Sequence, residues 1–595
     1  MTLGLALAGS HSARAEVAAH QSTSALPFSN GFGAGIYDAS SHRVTGFRDH
    51  LYARWDASTP SHDLLYDFYF GLRAGGINTW LSDRPVAEAG YDPRSGIVRV
   101  VQEHAGLRAT QYFFAPFSVN APVLVAVVEV ENTSAAPMAD AALFAIQNLH
   151  VGSGAEATAG EHITWQDGAY EERGALGLVV QVPVPAPAVF AASPDNPWQA
   201  VNAGGHMTSR TDSGVTDDAV AGFEWDLSGL LPGESKTFAV ILAHDAGGQR
   251  SAVNAALSPV AEKSASELLA GARADWSQFF SRAQAPEGLS AGEAAVYDQQ
   301  LAVLRMAQVR EPAPARGQIV ASVPPGKWNI AWVRDQSYAT FALIDAGLFA
   351  EARDALAFLL DGDAGHYVCC DAGGGPYVGR DYAISVVRYF GNGVEESDSN
   401  QNGPNVEFDG FGLTLMALDA YLSRTGDSAF IDDHAGAIFG GTADVLVSLI
   451  EPDTGLVRAD SSIWETHWDG GGRRHHTFTQ ATSVAGLWAA ARLAEKTGRT
   501  DDAARYSAAA ATVAEAIAAH LVDPRNQVLR GSVEETDLYL DAAAIEAFNW
   551  GVLAGDGDIA KATLDAFRTS LWNPVTGHGY RRNDDGGEYD LREWI

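Results

Sequence analysis

The sequence predicts a multidomain β + α chain: an N-terminal antiparallel β-sandwich, linker helices, then an (α/α)6 toroid of paired helices. Three observations predict it. Short apolar or alternating runs bounded by Gly, Pro, Asn and Ser fill residues from about 22 to 257, and helical periodicity takes over after about residue 291. The helices are then joined by short and long links in strict alternation. At 595 residues the chain also exceeds what one core holds.

The strand region shows its period in residues 97–102, 109–114 and 123–130, and residues 230–243 read as a turn leading into a strand. This places a sandwich over residues 16–257. Residues 258–290 switch to helical spacing and read as a linker helix, with Trp276, Phe279 and Phe280 as docking anchors. Helices are expected near 291–311, 335–346, 348–361, 408–424, 427–450, 477–497, 500–521, 541–553 and 556–571, with a tenth starting near 590. The short links centre on Gly347, Gly426, Gly498 and Gly555. The long ones cover roughly 312–334, 362–407, 451–476, 522–540 and 572–589, so antiparallel pairing puts every long loop at one end. A closed toroid of this kind needs twelve helices, so residues 291–595 are expected to form a barrel that lacks its last ones.

Net charge is −35, and Lys236, Lys263, Lys327, Lys496 and Lys561 are the only lysines. Such acidity disfavours nucleic acid and anionic membranes as partners and favours a neutral or cationic ligand. Cys369 and Cys370 are adjacent, which excludes a disulfide framework and allows only a vicinal bridge. No apolar run reaches membrane-spanning length. Residues 1–15 carry an apolar stretch and an Ala13-Arg14-Ala15 cleavage pattern without a basic start, read as the remnant of a signal peptide. A secreted or periplasmic protein acting as a monomer is the resulting expectation.

The chemistry concentrates in the long loops. Trp464, Glu465 and Trp468 lie in a Gly-rich loop, and aromatic faces beside an acid suit a sugar ring and a proton donor. Trp328, Trp332, Arg334 and Asp335 end the first long loop. Arg334 and Asp335 could grip neighbouring hydroxyls, or Asp335 could cap the helix with a local arginine pair; both readings stand. Asp398, Asn400, Asn402, Gly403 and Asp409 match a calcium-loop spacing, although a solvated Asn/Gly loop explains them better. His467, His475 and His476 lack a second ligand cluster of recognisable spacing, which argues against zinc. Tyr580, Arg581 and Arg582 make the last long loop cationic and aromatic.

Taken together, Trp332-x-Arg334-Asp335, Ile463-Trp464-Glu465 and Gly577-x-Gly579-Tyr580-Arg581 resemble glycoside hydrolase family 15, above all its bacterial glucoamylase and glucodextranase branch. That branch joins a β-sandwich to an (α/α)6 barrel, so the resemblance spans nearly the whole chain. It implies that Glu465 is the general acid, and that Arg334 and Asp335 hold hydroxyls of the terminal glucose. Trp332 and Trp464 would wall the pocket, Trp328 would be a further aromatic, and Arg581 a late substrate-binding arginine. Glu407 and Asp409 resemble the segment opening the fourth helix. It further implies inverting release of β-glucose from the non-reducing ends of α-glucans or α-glucooligosaccharides, with no cofactor required. Inverting hydrolysis needs a second carboxylate about 6.5–9.5 Å from the first, with water between. The family places it after the eleventh helix; Glu593 comes too early to fill that role, so the base is expected beyond residue 595 and the activity of the chain alone is in question. Trehalose or isomaltose hydrolysis, phosphorolysis, and a non-catalytic glucan-binding role are the competing readings.

Overall fold

The computed structural model describes residues 24–53, 61–151, 159–174, 177–371, 373–468, 472–535, 537–573 and 579–584. The proposed signal remnant, the tenth helix and Glu593 lie outside them. The chain divides into two compact units, one of Met1–Glu311 with Ser322–Asn329, the other of Pro312–Ala321 with Ile330–Ile595.

In the first unit the alternating runs form two antiparallel sheets. One is built around Leu65–Ala74, Ala142–Leu149 and Val220–Asp226, the other around Ser235–Asp245, Val123–Asn132 and Leu107–Phe114. Side chains from the two inner faces meet, Tyr37 stacking on Phe113 at 5.2 Å and Trp225 meeting Phe238 at a tilt at 5.4 Å between ring centres. This is the expected sandwich. Helix Ala265–Arg282 starts at a reciprocal Ser264/Glu267 cap and buries Trp276, Phe279 and Phe280 as anticipated, Trp276 meeting Phe117 at 5.2 Å.

The unit boundary falls at residue 311 instead of 290. Helix Ala291–Ala307, read from periodicity as the first toroid helix, packs within the sandwich unit. Met306 abuts Gly96, Arg305 lies 4.9 Å over Phe117, and Tyr297 Oη donates to the Gln284 carbonyl at 2.7 Å. Periodicity reports that a helix has an apolar face; it does not report which partner covers that face.

In the second unit the helices are Val333–Asp345, Phe349–Asp361, Asp409–Thr425, Ser428–Asp433, Asp444–Leu449, Thr477–Lys496, Thr500–His520, Glu546–Asn549 and Asp558–Ser570. Gly347, Gly426 and Gly498 take positive φ (74°, 70° and 77°) and end their helices in the left-handed conformation. The helix expected over 427–450 is broken: a π-helical segment, Gly436–Ala443, separates its two ends. Gly441 permits the break, because its carbonyl accepts from Ala383 N–H and a Cβ there would collide with Ala383.

Thr477–Lys496 is buried on nearly every side, as an inner helix must be. It meets Asp409–Thr425 where Gly412 and Gly486 touch, each too close to the other helix to carry a side chain. That contact sets the helix starting at Asp409 against the helix that follows the Glu465 loop. Among the described residues no helix is long and apolar enough to cross a membrane.

Candidate active site

Helix Val333–Asp345 begins directly after Trp332, which lies in a short ribbon with Arg388–Tyr389 and Glu395–Glu396. Asp335 sits in the first turn but does not cap the helix; the capping position is Trp332, with no side-chain hydrogen bond. Nor is Arg334 part of a local pair. It turns inward, 8% exposed, and one Nη donates to both Glu407 Oε2 and Asp409 Oδ2 at 2.7 Å. Asn405 Nδ2 donates to the other Glu407 oxygen at 2.6 Å. Burial lifts Glu407 well above the usual carboxylate range against the pull of Arg334, and the charges of Glu465 and Asp409 add to the rise.

Asp335 is exposed by surface area, yet protein surrounds its carboxyl on most sides. Desolvation lifts it above the ordinary range, opposed by Arg334 and aided by Asp409 and Glu465. A carboxylate that is both accessible and enclosed lines a concavity.

The loop carrying Glu465 is pinned at its base by Asp460. Its backbone pairs with Arg474, and its carboxylate accepts from Phe408 N–H at 2.9 Å and from Thr479 Oγ1 at 3.0 Å. Complete burial pushes Asp460 up to about 8 despite those donors. The loop then turns twice through residues of positive φ, Ser462 at 50° and Glu465 at 52°. Non-glycine residues rarely adopt that region, and where they do the surroundings hold them there. Glu465 Oε1 accepts from Trp332 Nε1 at 3.2 Å. The neighbouring Trp464 donates from Nε1 to Asp541 Oδ2 at 2.9 Å, and the Arg582 guanidinium lies 5.1 Å over its ring.

Residues from four of the long loops therefore converge. Trp332, Arg334, Asp335, Trp464 and Glu465 belong to one assembly with Glu407 and Asp409. Trp328 belongs to the first unit, where it is 64% exposed. In the last loop the cation resting on Trp464 is Arg582, while Arg581 Nε is buried with no hydrogen-bond partner among the described residues. Sequence reasoning missed Arg388, Glu396, Asp460 and Asp541, and read Asp398 only as a calcium-loop position. Only the alternation of links, which puts all long loops at one end, could have pointed to them.

The residues of the calcium-like spacing make protein contacts. Asp398 pairs with Arg388 and Asp409 with Arg334, while Asn400 donates to the His467 carbonyl at 3.2 Å and accepts from Asn402 N–H at 2.7 Å. Among the described residues no group of three or more candidate ligands gathers.

His475 ties the acid loop's return strand to the next long loop, contacting Glu534 at 2.6 Å and Glu451 at 3.1 Å. Burial lowers its pKa, but the two carboxylates outweigh burial and raise it above 6.5. Glu534 moves the other way: burial opposes ionisation, yet the His475 contacts hold it below 4.5. The histidine's contribution is complete below 6.5 and lost as pH rises through its raised pKa. The glutamate's is present above 4.5 and lost as pH falls through its lowered one. The stability advantage of the parent over His475→Gln is thus expected to peak between pH 4.5 and 6.5 and to shrink on both sides in thermal melts. A pH-independent difference would show that the contact carries no charge.

The sequence model described as Glycosyl hydrolases family 15 matches residues 390–574. No curated protein matches the sequence. Among solved structures, the chain is similar to a crystal structure of bacterial glucoamylase complexed with acarbose, with a TM-score of 0.66 and 13% identity over 96% of this chain and 81% of that one. Identity that low shows a shared fold. The matched residues hold Glu407, Asp409, Trp464, Glu465 and Asp541, so family and fold meet at the assembly just described. Residues 390–574 thus match the model of glycosyl hydrolases family 15, in a chain that shares its fold with a bacterial glucoamylase.

Proposed function

We propose that the protein is an exo-acting, inverting α-glucoside hydrolase, with Glu465 protonating the glycosidic oxygen. The observation that carries this is the convergence on Glu465. Its carboxyl is met by the Trp332 N–H, Trp464 is its chain neighbour, and the accessible carboxylate of Asp335 stands close enough to feel its charge. Trp332 and Trp464 offer flat apolar faces for a pyranose, and Asp335 offers an acceptor for its hydroxyls. Arg334 and Arg581 complete the proposed binding set, Arg334 by holding the segment under Asp335. The likeness to a glucoamylase complexed with acarbose supports an α-glucan or α-glucooligosaccharide as substrate.

Protonation makes the leaving sugar an alcohol; water then attacks the anomeric carbon from the opposite face and passes its proton to a second carboxylate, a role assigned to no described residue. Of the carboxylates that sense Glu465, Glu407 is bound to Arg334 and Glu396 to Arg388, so neither is assigned to activate that water. No cofactor takes part.

Proton NMR of a maltooligosaccharide digest tests the reading directly. β-Glucose is expected as the first product. α-Glucose would refute inversion, and glucose 1-phosphate formed only with added phosphate would make the protein a phosphorylase.

A further inference from the structure

Trp332 is held by a feature that catalysis as described does not use. On the ribbon, Trp332 pairs with Arg388, and Arg388 pairs in turn with Glu396, so the three residues form one cross-strand row. Arg388 is 3% exposed, and its guanidinium lies 4.7 Å from the Trp332 ring centre. Its Nε is hydrogen-bonded to Glu396 and one Nη to Asp398. The strand beneath is fixed as well: Ser385 Oγ donates to the Arg388 carbonyl at 2.8 Å, and the buried Tyr389 hydroxyl donates to Leu359 O at 3.1 Å.

Two carboxylates already satisfy the charge of Arg388. The closeness of its guanidinium to the indole ring is therefore a separate contact, and the indole N–H leads on to the carboxyl of Glu465. A cation over an indole face draws electron density from the ring and makes its N–H a better donor.

We propose that Arg388 is a positioning residue for the acid: fixed by Glu396 and Asp398, it clamps Trp332 so that the indole N–H is delivered to Glu465. This rests on Glu465 being the proton donor, but its readout does not. The ionisable groups facing Glu465 are Asp335, Glu396 and Glu407 from three other segments, and His467 from its own loop. Beside these groups the indole N–H is the donor aimed at the Glu465 carboxyl, and a donor favours the charged form of its acceptor, so losing it is expected to raise the midpoint.

The test is a carbon-13 NMR titration of the full chain labelled at glutamate carboxyls, with Glu465 assigned by its loss in Glu465→Gln. Alongside it, kcat on maltooligosaccharide is measured against pH. Arg388→Gln is expected to raise the Glu465 midpoint and the alkaline limb of kcat together by about one unit, while lowering kcat about tenfold. A purely structural role would lower kcat by reducing the folded fraction and leave both midpoints in place. Trp332→Phe keeps a ring for Arg388 to cover but removes the N–H, and the same upward shift is expected. An unmoved Glu465 midpoint in folded Arg388→Gln overturns the proposal, as does an unmoved midpoint in Trp332→Phe should Arg388→Gln fail to fold. If the midpoints move but the parent protein releases no sugar, the positioning role stands and the hydrolase reading falls.

Discussion

Glu465→Gln is expected to lower kcat on maltooligosaccharides by about 10²–10⁴, the usual contribution of a general acid, while acarbose affinity stays close to that of the parent. The amide preserves the size of the side chain and keeps an oxygen for the Trp332 N–H, so the loop loses a proton and little else. A substrate whose leaving group needs no proton separates this from a folding defect. α-Glucosyl fluoride departs as fluoride, so its hydrolysis should fall far less than that of maltose. Equal losses on both substrates would mean that Glu465 shapes the site without donating a proton. Unchanged turnover on maltose would remove it from the reaction.

Arg334→Met should produce the largest loss of stability. Arg334 neutralises Glu407 and Asp409, which are 3% and 1% exposed, and methionine leaves both carboxylates buried without their cation. Removing one member of a buried ion group typically destabilises by about 3–5 kcal/mol. Combining Arg334→Met with Glu407→Gln and Asp409→Asn removes the charges together, and most of that loss should return in urea unfolding of the helical unit. A single variant as stable as the parent would show that the two carboxylates take up protons at little cost. The triple variant is expected to stay inactive, since the segment beneath Asp335 loses its ion pairs.

How far the sequence led can be seen residue by residue. The helices were legible because glycines mark their ends, and Gly347, Gly426 and Gly498 take the left-handed conformation that side chains resist. Trp332, Arg334, Trp464 and Glu465 were legible because aromatic and charged residues rarely crowd a loop without reason. The break at Gly436–Ala443 was not, since the segment is apolar apart from Thr442 and the residue packed against its Gly441, Ala383, is distant in sequence. Arg388 and Glu396 were hidden because their strands are two residues long, too short to show any period. The partners of Arg334 could not be chosen in advance either. A helix-start arginine has an acid beside it in the chain, and only the fold shows that acids from the next long loop take its charge.

The twist at Glu465 bears on how such a protein should be engineered. A glutamate at φ 52° occupies a backbone slot that glycine or asparagine would fill with less strain, by roughly 1 kcal/mol. Screening for heat resistance alone would therefore reward replacing the acid, and the gain would be real. Variants recovered from such a screen need an activity assay before residue 465 is accepted as improved. Within this loop, durability and chemistry pull on the same backbone angle in opposite directions.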